Sequence, residues 1–458
     1  MNSMNLYDRK LISSLIVVCF LIGIASSILP WGALLFSFLI YLLILCIRVP
    51  LRVMVVVIGM WSIFQGFLAA ISFGGYPASQ LFPAFLLLTL SLAIILRNKS
   101  DNYLLNLSLL YLFMVIWSFI GVFYSKYLDD AIVSYLRLFV GWLLFYYFAT
   151  TITNRKNNDM LCKILVVCGA FSGILTCIEL ILYENFGITA VGSFSIVSEY
   201  YGGVYRPSGG FGGPVASAIS LFPLYIMSLY RYINTKNRIY LITSLSIVIG
   251  ICSTLTRTVI IALVITILLQ AIYYSYKKRS FIPLLGTLLA ALIVLCAVLT
   301  FAGDIVAERT VDFVDTSSSD TFGGGRLGIW YSIVEGIKVE GTWIQNIIGY
   351  GISNSRYFVY KYSIFGLEDY THNDYLDTFL SNGLIGLVLL LVFIIRINYL
   401  LFRTKKYRFT LFFAIPVLVH VTVIMMISNT QYSAGPRWIF LIALVYMLKE
   451  IQFNKDVG

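Results

Sequence analysis

Two histidines stand among the 458 residues of this chain. One of them, His372, falls in Thr371-His-Asn-Asp-Tyr-Leu, where a long polar stretch runs into an apolar one. Histidine takes up and gives back a proton near neutral pH, so it is the first candidate for a general base. Thr371-x-x-Asp374 fits the Ser/Thr-x-x-acid start of a helix, which predicts Thr371 as cap and His372 in the first turn. Arginines are the second group. Arg206 lies in Tyr205-Arg-Pro-Ser-Gly-Gly-Phe-Gly-Gly-Pro214, Arg257 in Leu255-Thr-Arg-Thr, and Arg326 directly after Gly323-Gly-Gly. A guanidinium fork matches the paired oxygens of an anionic group, and a Gly-rich loop exposes backbone N–H groups to a ligand. Arg137 inside an apolar run and Arg437 at the start of the last one are further candidates. Each has a structural alternative. His372 could bond only loop carbonyls, Arg257 could meet a carboxylate or a helix C-terminus, and Arg137 could pair with Asp129 or Asp130. Glu179, near the outer end of its span, carries the same ambiguity. His420 lies within an apolar span and reads as a helix–helix hydrogen-bonding residue.

Several chemistries are excluded. All seven cysteines lie in apolar runs, so neither a disulfide framework nor a Cys/His metal site is expected, and no cofactor is called for. There is no nucleotide-binding or zinc-ligand spacing and no repeat of solenoid period. The energy for a reaction must therefore come from an activated substrate already in the membrane.

The elements that must position these residues are apolar helices. The chain is 60% hydrophobic and 12% charged, with a mean hydropathy of +0.90, against about 25% charged residues in soluble domains. The expected fold is all-α, a polytopic transmembrane bundle of about 14 spans (12–14). The spans fall near 11–29, 31–47, 53–73, 81–96, 103–123, 131–150, 160–183, 214–230, 239–256, 258–276, 281–302, 374–395, 410–428 and 437–448. The first, behind Arg9 and Lys10, reads as a retained anchor because similar spans follow it. The net charge of +11 gathers on alternate loops, as at Arg48/Arg52, Arg155/Lys156, Lys277-Lys278-Arg279 and Arg403/Lys405/Lys406/Arg408. That is an orientation signal rather than a nucleic-acid surface, and it puts both termini in the cytoplasm.

Five units follow: N-terminal spans 1–183, a first long outer loop 184–213, central spans 214–302, a second long outer loop 303–373, and C-terminal spans 374–458. Residues 239–276 would make about 57 Å of helix, so the chain must reverse near Arg257, about 28 Å from Arg238 and hence at the outer boundary. In the second loop Asp304, Glu308, Asp312, Asp315 and Asp320 read as a solvated face. Leu327, Trp330, Val334 and Ile337 have the spacing of a short amphipathic helix lying in the interface.

Taken in order, Arg206-Pro-Ser-Gly-Gly-Phe-x-x-Pro214, Leu255-Thr-Arg257-Thr, Gly325-Arg326-x-x-x-Trp330, Ile348-Gly-Tyr-Gly351 and His372-Asn-x-Tyr-Leu376 with Asn382-Gly-Leu-Ile-Gly386 resemble the bacterial O-antigen ligase / O-antigen polymerase superfamily. The resemblance covers roughly 200–390, and the chain departs from the commoner pattern in lacking Asn after Pro214. It implies an inner-membrane glycosyltransferase acting on undecaprenyl-diphosphate-linked glycan at the periplasmic face. His372 would activate the acceptor hydroxyl, and Arg206, Arg257 and Arg326 would hold the diphosphate. Arg137, Asp374, Arg437, Tyr205 and Tyr370 would be additional site residues, with tyrosines such as Tyr200, Tyr201, Tyr205, Tyr350, Tyr357, Tyr360, Tyr362, Tyr370 and Tyr375 stacking on sugars or anchoring in the interface. The leading reading is a polymerase of repeat units for O-antigen or capsule-type polysaccharide, inverting and metal-independent. A ligase to lipid A–core is the alternative, and a polysaccharide flippase the second. Implied partners are the lipid-linked glycan, a glycan or lipid A–core acceptor, membrane lipids and a chain-length regulator, with no nucleic acid.

Overall fold

The computed structural model describes residues 102–189, 205–282, 284–289, 326–362, 370–404, 406–428, 430 and 433–455. It also describes short pieces at 51, 54–59, 65, 72–73, 76–77, 86–87, 89–91, 93–94 and 196–197. The expected spans 11–29 and 31–47, Tyr200, Tyr201, the Asp304–Asp320 run and Gly323–Gly325 lie outside the described residues, and spans 53–73, 81–96 and 281–302 are described only in part.

The complete helices are α1 (Leu105–Phe123), α2 (Leu128–Thr151), α3 (Arg155–Phe186), α4 (Pro214–Thr235), α5 (Arg238–Ser253), α6 (Arg257–Lys278), α7 (Arg326–Glu340), α8 (Trp343–Ile348), α9 (Ser355–Tyr362), α10 (Asp374–Phe402), α11 (Tyr407–Ile427) and α12 (Ala434–Lys455). Two short antiparallel ladders complete the described elements, and one pairs Ile196–Val197 with Tyr205–Arg206. Six of the helices, α1, α2, α3, α6, α10 and α11, are long and apolar enough to cross a membrane, and α5 is a shorter apolar helix. The all-α, membrane-integral architecture holds.

Local chemistry sets the ends. Asn154 caps α3 by accepting from the Asn157 N–H at 2.9 Å, and Gly187 closes it in the left-handed conformation at φ 64°. Pro214 opens α4, where its missing N–H costs nothing. The expected reversal is the three-residue turn Thr254–Thr256 between α5 and α6, with Leu255 at φ 53°. On α3, Gly169 and Gly173 are four residues apart. A Cβ on Gly250 would lie 2.3 Å from the Gly173 Cα, so α3 and α5 meet backbone to backbone.

The last helix is longer than the apolar run suggests and lies at the centre. Trp438, Ile442, Ala443, Leu444, Val445, Tyr446 and Leu448 of α12 are all buried, as a helix apolar on every side must be. By contrast Phe113, Ile116 and Phe119 of α1 face outward, as lipid-facing side chains do. α11 is not a uniform α-helix: Thr410–Ala414 and His420–Ile424 are π-helical turns. The carbonyl of Val421 accepts the Tyr375 hydroxyl at 2.5 Å.

Candidate functional site

Two hydrogen bonds put the arginine reversal and the histidine loop at one end of the bundle. Gln270 Nε2 of α6 donates to the Leu411 carbonyl at 3.0 Å, and Tyr375 of α10 reaches Val421. α10 and α11 are joined by the short 403–406 connection and so run antiparallel, and α6, with only eight residues left after Gln270, reaches His420–Ile424 through its earlier turns, so it too runs antiparallel to α11. From Gln270 back to Arg257 is about 20 Å of helix, which carries the start of α6 towards the Ile424 end, where α10 also begins.

At that end the sequence candidates come together in two groups. Arg206 is buried, and its guanidinium donates to the Thr254 carbonyl at 3.3 Å and to Thr256 Oγ1 at 3.0 Å. It thus braces the turn that presents Arg257, the first residue of α6, and the two arginines lie on one local scaffold. The Gly-rich segment behind Arg206 is not a loose connector. Glu179 of α3 accepts from the Ser208 and Gly209 N–H groups at 3.0 and 3.1 Å, and Ser172 Oγ donates to the Gly209 carbonyl at 2.6 Å. Two of the N–H groups expected to face a ligand are therefore engaged by Glu179, whose role is to hold this loop. Tyr205 is fully buried with its ring stacked on Tyr183 at 4.2 Å, so its ring packs the loop.

The second group joins Arg326 and His372. Arg326 opens α7, and Trp330 follows one turn later on the same side. The Trp330 indole N–H donates to the Thr371 carbonyl at 2.7 Å, fastening the α7 helix to the residue before His372. Thr371 is not the helix cap. Asn373 is, its side chain accepting from the N–H groups of Tyr375 and Leu376 at 3.0 Å each. Thr371 Oγ1 instead accepts from the Asn373 N–H at 3.2 Å. His372 stands one residue outside the cap, half-buried, at φ 48°. A residue with a Cβ holds that conformation only where its surroundings impose it, and the Trp330 and Asn373 bonds on either side do so.

Asp374 is fully buried. It accepts from the Thr430 N–H at 2.7 Å and from the Thr430 hydroxyl, tying the start of α10 to the segment before α12. That is an anchoring role. Arg437, at the head of α12, is buried and donates to the Tyr111 hydroxyl at 2.6 Å with its guanidinium 5.2 Å from the same ring. It points into the bundle, beside a small, partly open cavity of about 40 Å³ that His420 and Thr430 also line. His420 stacks on Phe440 at 3.9 Å, and its Nδ1 has no hydrogen-bond partner among the described residues. The interhelical hydrogen bond expected of it gives way to ring packing.

The Ile348-Gly-Tyr-Gly351 and Asn382-Gly383 segments form one backbone knot. Gly383 kinks α10 at φ 65° and ψ −167°. The kink releases carbonyls, which are taken up: the Tyr350 N–H bonds Leu380 at 2.6 Å and the Trp117 indole bonds Asn382 at 2.8 Å. A Cβ on Gly349 would come within 2.5 Å of the Ser381 carbonyl oxygen. Tyr350 is buried here, bonded to Asn346 and edge-on to Phe358. It sets the kink and does not face a sugar. The knot aims the first turns of α10, and with them His372.

Two surfaces flank the histidine. On one side is an open apolar groove of about 410 Å³ lined by Trp330, Val334, Asn373, Tyr375, Leu376, Phe379 and Leu387. On the other, Tyr370 lies 5.7 Å beneath the Arg356 guanidinium. Arg137, within α2, is in electrostatic reach of Tyr370 and Asp130. Sequence reasoning named Asp130 only as a partner for Arg137 and missed Arg356. It read Trp330 as packing. An indole one turn after an arginine was the available signal for Trp330, but its acceptor forty-one residues away was not legible.

A family model described as O-antigen ligase matches residues 241–391, and no curated protein matches the chain. The matched segment holds Arg257, Arg326, Trp330, Tyr370, His372 and Asp374, while Arg137, Tyr205, Arg206 and Arg437 lie beyond it. Its limits enclose the α6 reversal, the α7 helix and the histidine junction, so this segment of the chain is similar to the O-antigen ligase family.

Proposed function

We propose that the protein transfers glycan from undecaprenyl diphosphate to an acceptor hydroxyl, as a polymerase of lipid-linked repeat units. The family match supports glycan transfer of the O-antigen ligase type in general. The observation that supports a transferase site here is the Trp330–Thr371 bond, which joins the Arg326 helix to His372 beside an apolar groove; the two long outer loops expected from the sequence incline the reading towards a polymerase. A reaction between a lipid-linked diphosphate and a hydroxyl needs a base, cations for the departing anion and an apolar bed for the lipid. The site offers all three.

In this mechanism His372 takes the proton from the acceptor hydroxyl as its oxygen attacks the anomeric carbon. The carbon–oxygen bond to the diphosphate breaks, its electron pair leaves with undecaprenyl diphosphate, and the anomeric centre inverts. Arg257 and Arg326, with Arg206 bracing the reversal, stabilise the charge developing on the leaving group. The reaction side is the periplasmic face of the inner membrane, with both termini cytoplasmic, in keeping with the basic residues on the opposite loops.

The test is a surface-glycan gel of a deletion strain complemented with wild-type or His372→Ala protein. Core bearing a single repeat unit without a ladder identifies a polymerase. Bare core with long lipid-linked polymer in the inner membrane identifies a ligase. Repeat units trapped on the cytoplasmic side would identify a flippase. A normal ladder from the His372→Ala protein would remove the base from the mechanism.

A further inference from the structure

The chain changes character across His372. Asn373, Tyr375 and Leu376, directly after it, line the apolar groove. Tyr370, two residues before it, belongs to a polar and aromatic patch on α2 and α9. In that patch Arg356 Nη1 pairs with Asp130 Oδ2 at 2.5 Å. The guanidinium lies 5.0 Å from the Tyr127 ring and 5.7 Å from the Tyr370 ring. Arg137 is seven residues beyond Asp130 on α2, on the same side of the helix. The patch is open: the Asp130 side chain is 50% exposed, that of Arg356 25%, and Tyr370 41%.

A simple tether between α9 and α2 does not account for it. The loop before α9 is already fixed to the end of α1 and the turn before α2 by four other bonds. The Ile352 N–H reaches Gly121 at 3.0 Å, Ser125 Oγ reaches Ile352 at 2.7 Å, the Lys126 N–H reaches Asn354 Oδ1 at 2.8 Å, and Asn354 Nδ2 reaches Tyr124 at 3.1 Å. An exposed ion pair adds only about 0–1 kcal/mol to such a junction.

What the patch offers is planar charged groups of both signs between aromatic faces. That chemistry suits a polyhydroxylated ring: carboxylate and guanidinium take its hydroxyls in pairs, and tyrosine takes its C–H face. Resting on the transferase reading above, we propose that Tyr127, Asp130, Arg137, Arg356 and Tyr370 form the acceptor-sugar subsite. The apolar groove then takes the lipid of the donor from the other side of His372. The patch decides which sugar presents its hydroxyl to the base, and so contributes the acceptor specificity of the enzyme.

The probe is the lipid-free oligosaccharide released from the strain's own lipid-linked repeat unit, which has the hydroxyls but no diphosphate and no tail. Its binding to full-length protein in nanodiscs is read by saturation-transfer NMR, so the measurement does not depend on turnover. The wild-type protein should bind it, and His372→Ala, which removes only the contact to the attacking hydroxyl, should retain most of that binding. Asp130→Asn and Tyr370→Leu should each weaken binding by about tenfold, the scale of one lost charge-assisted contact. Arg326→Gln should not weaken it. Arg356→Lys should recover less than half of the affinity lost in Arg356→Gln, because an ammonium cannot replace the fork. Absence of binding to the wild-type protein, or equal binding by the Asp130 and Tyr370 variants, overturns the subsite. So does a loss in Arg326→Gln as large as that in Asp130→Asn. An active His372→Ala enzyme that still shows patch-dependent binding would instead overturn the base and leave the subsite standing.

Discussion

Trp330→Phe isolates one hydrogen bond on which the position of His372 depends. The change removes the indole N–H and keeps an aromatic ring against the groove. The lost bond runs 2.7 Å to the carbonyl of Thr371, in a half-buried setting. A neutral bond of this kind contributes about 0.5–1.5 kcal/mol net. Thr371 directly precedes His372, whose φ of 48° is held from both sides. If that free energy keeps the imidazole aligned in the transition state, its loss lowers kcat by about 2- to 13-fold, at 1.36 kcal/mol per decade. The donor KM should not move, because the groove keeps its ring. The assay is transfer from an undecaprenyl-diphosphate-linked oligosaccharide in proteoliposomes, with kcat and KM resolved. Trp330→Ala, which also strips the ring from the groove, should lower kcat similarly and raise the donor KM as well. A wild-type kcat in Trp330→Phe refutes the positioning argument. A fall in kcat matched by an equal loss of thermal stability would show that the bond serves the fold alone.

Other perturbations probe the scaffold around the histidine. Gly349→Ala puts a Cβ 2.5 Å from Ser381 O and 2.7 Å from Asn382 N at φ 106°; a destabilisation of about 2–4 kcal/mol is expected, read as a lowered melting temperature in detergent. Asp374→Ala leaves the buried Thr430 N–H without its carboxylate and should cost about 1–3 kcal/mol, whereas Asp374→Asn, which keeps an acceptor oxygen, should cost less in the same thermal assay. Arg206→Lys cannot reach both Thr254 and Thr256 as the guanidinium does, so hydrogen exchange at residues 254–257 should quicken while the helices on either side stay protected. Glu340 accepts from Lys361, Tyr357 and Tyr362, and against the opposing effect of burial these bonds hold its carboxyl below the ordinary value. A lowered value in the folded state means that the docking is present above the ordinary carboxylate range and lost as pH falls through the lowered one. Exchange over 355–362 should therefore accelerate below about pH 4 and not between neutral pH and 5.

Composition and periodicity determined a good deal of this protein. A chain with repeated apolar runs of about 20 residues satisfies its backbone in a membrane by forming helices. The limits of α1, α2, α5, α6 and α11 fall within three residues of the apolar runs and those of α3 and α4 within five, because the hydrophobic length and the caps at Asn154, Gly187 and Pro214 are local properties, whereas α10 runs on to Phe402, seven residues past its apolar run. The reversal at Thr254–Thr256 followed from length alone, since a helix through 239–276 would overrun the bilayer. The motifs around Arg257, Arg326 and His372 likewise fall within the segment that is similar to the O-antigen ligase family. What the sequence could not supply was which partner each polar group finds. Glu179 bonding Ser208 and Gly209, Trp330 bonding Thr371, Asp374 bonding Thr430 and Arg356 pairing with Asp130 all join residues far apart in the chain. Local pattern favoured Thr371 as the cap, yet Asn373 takes that place and Thr371 turns its carbonyl to Trp330. Tertiary structure alone decided these pairings, because a buried polar group is satisfied by whatever donor or acceptor the packed helices bring to it, and spacing along the chain does not encode that meeting.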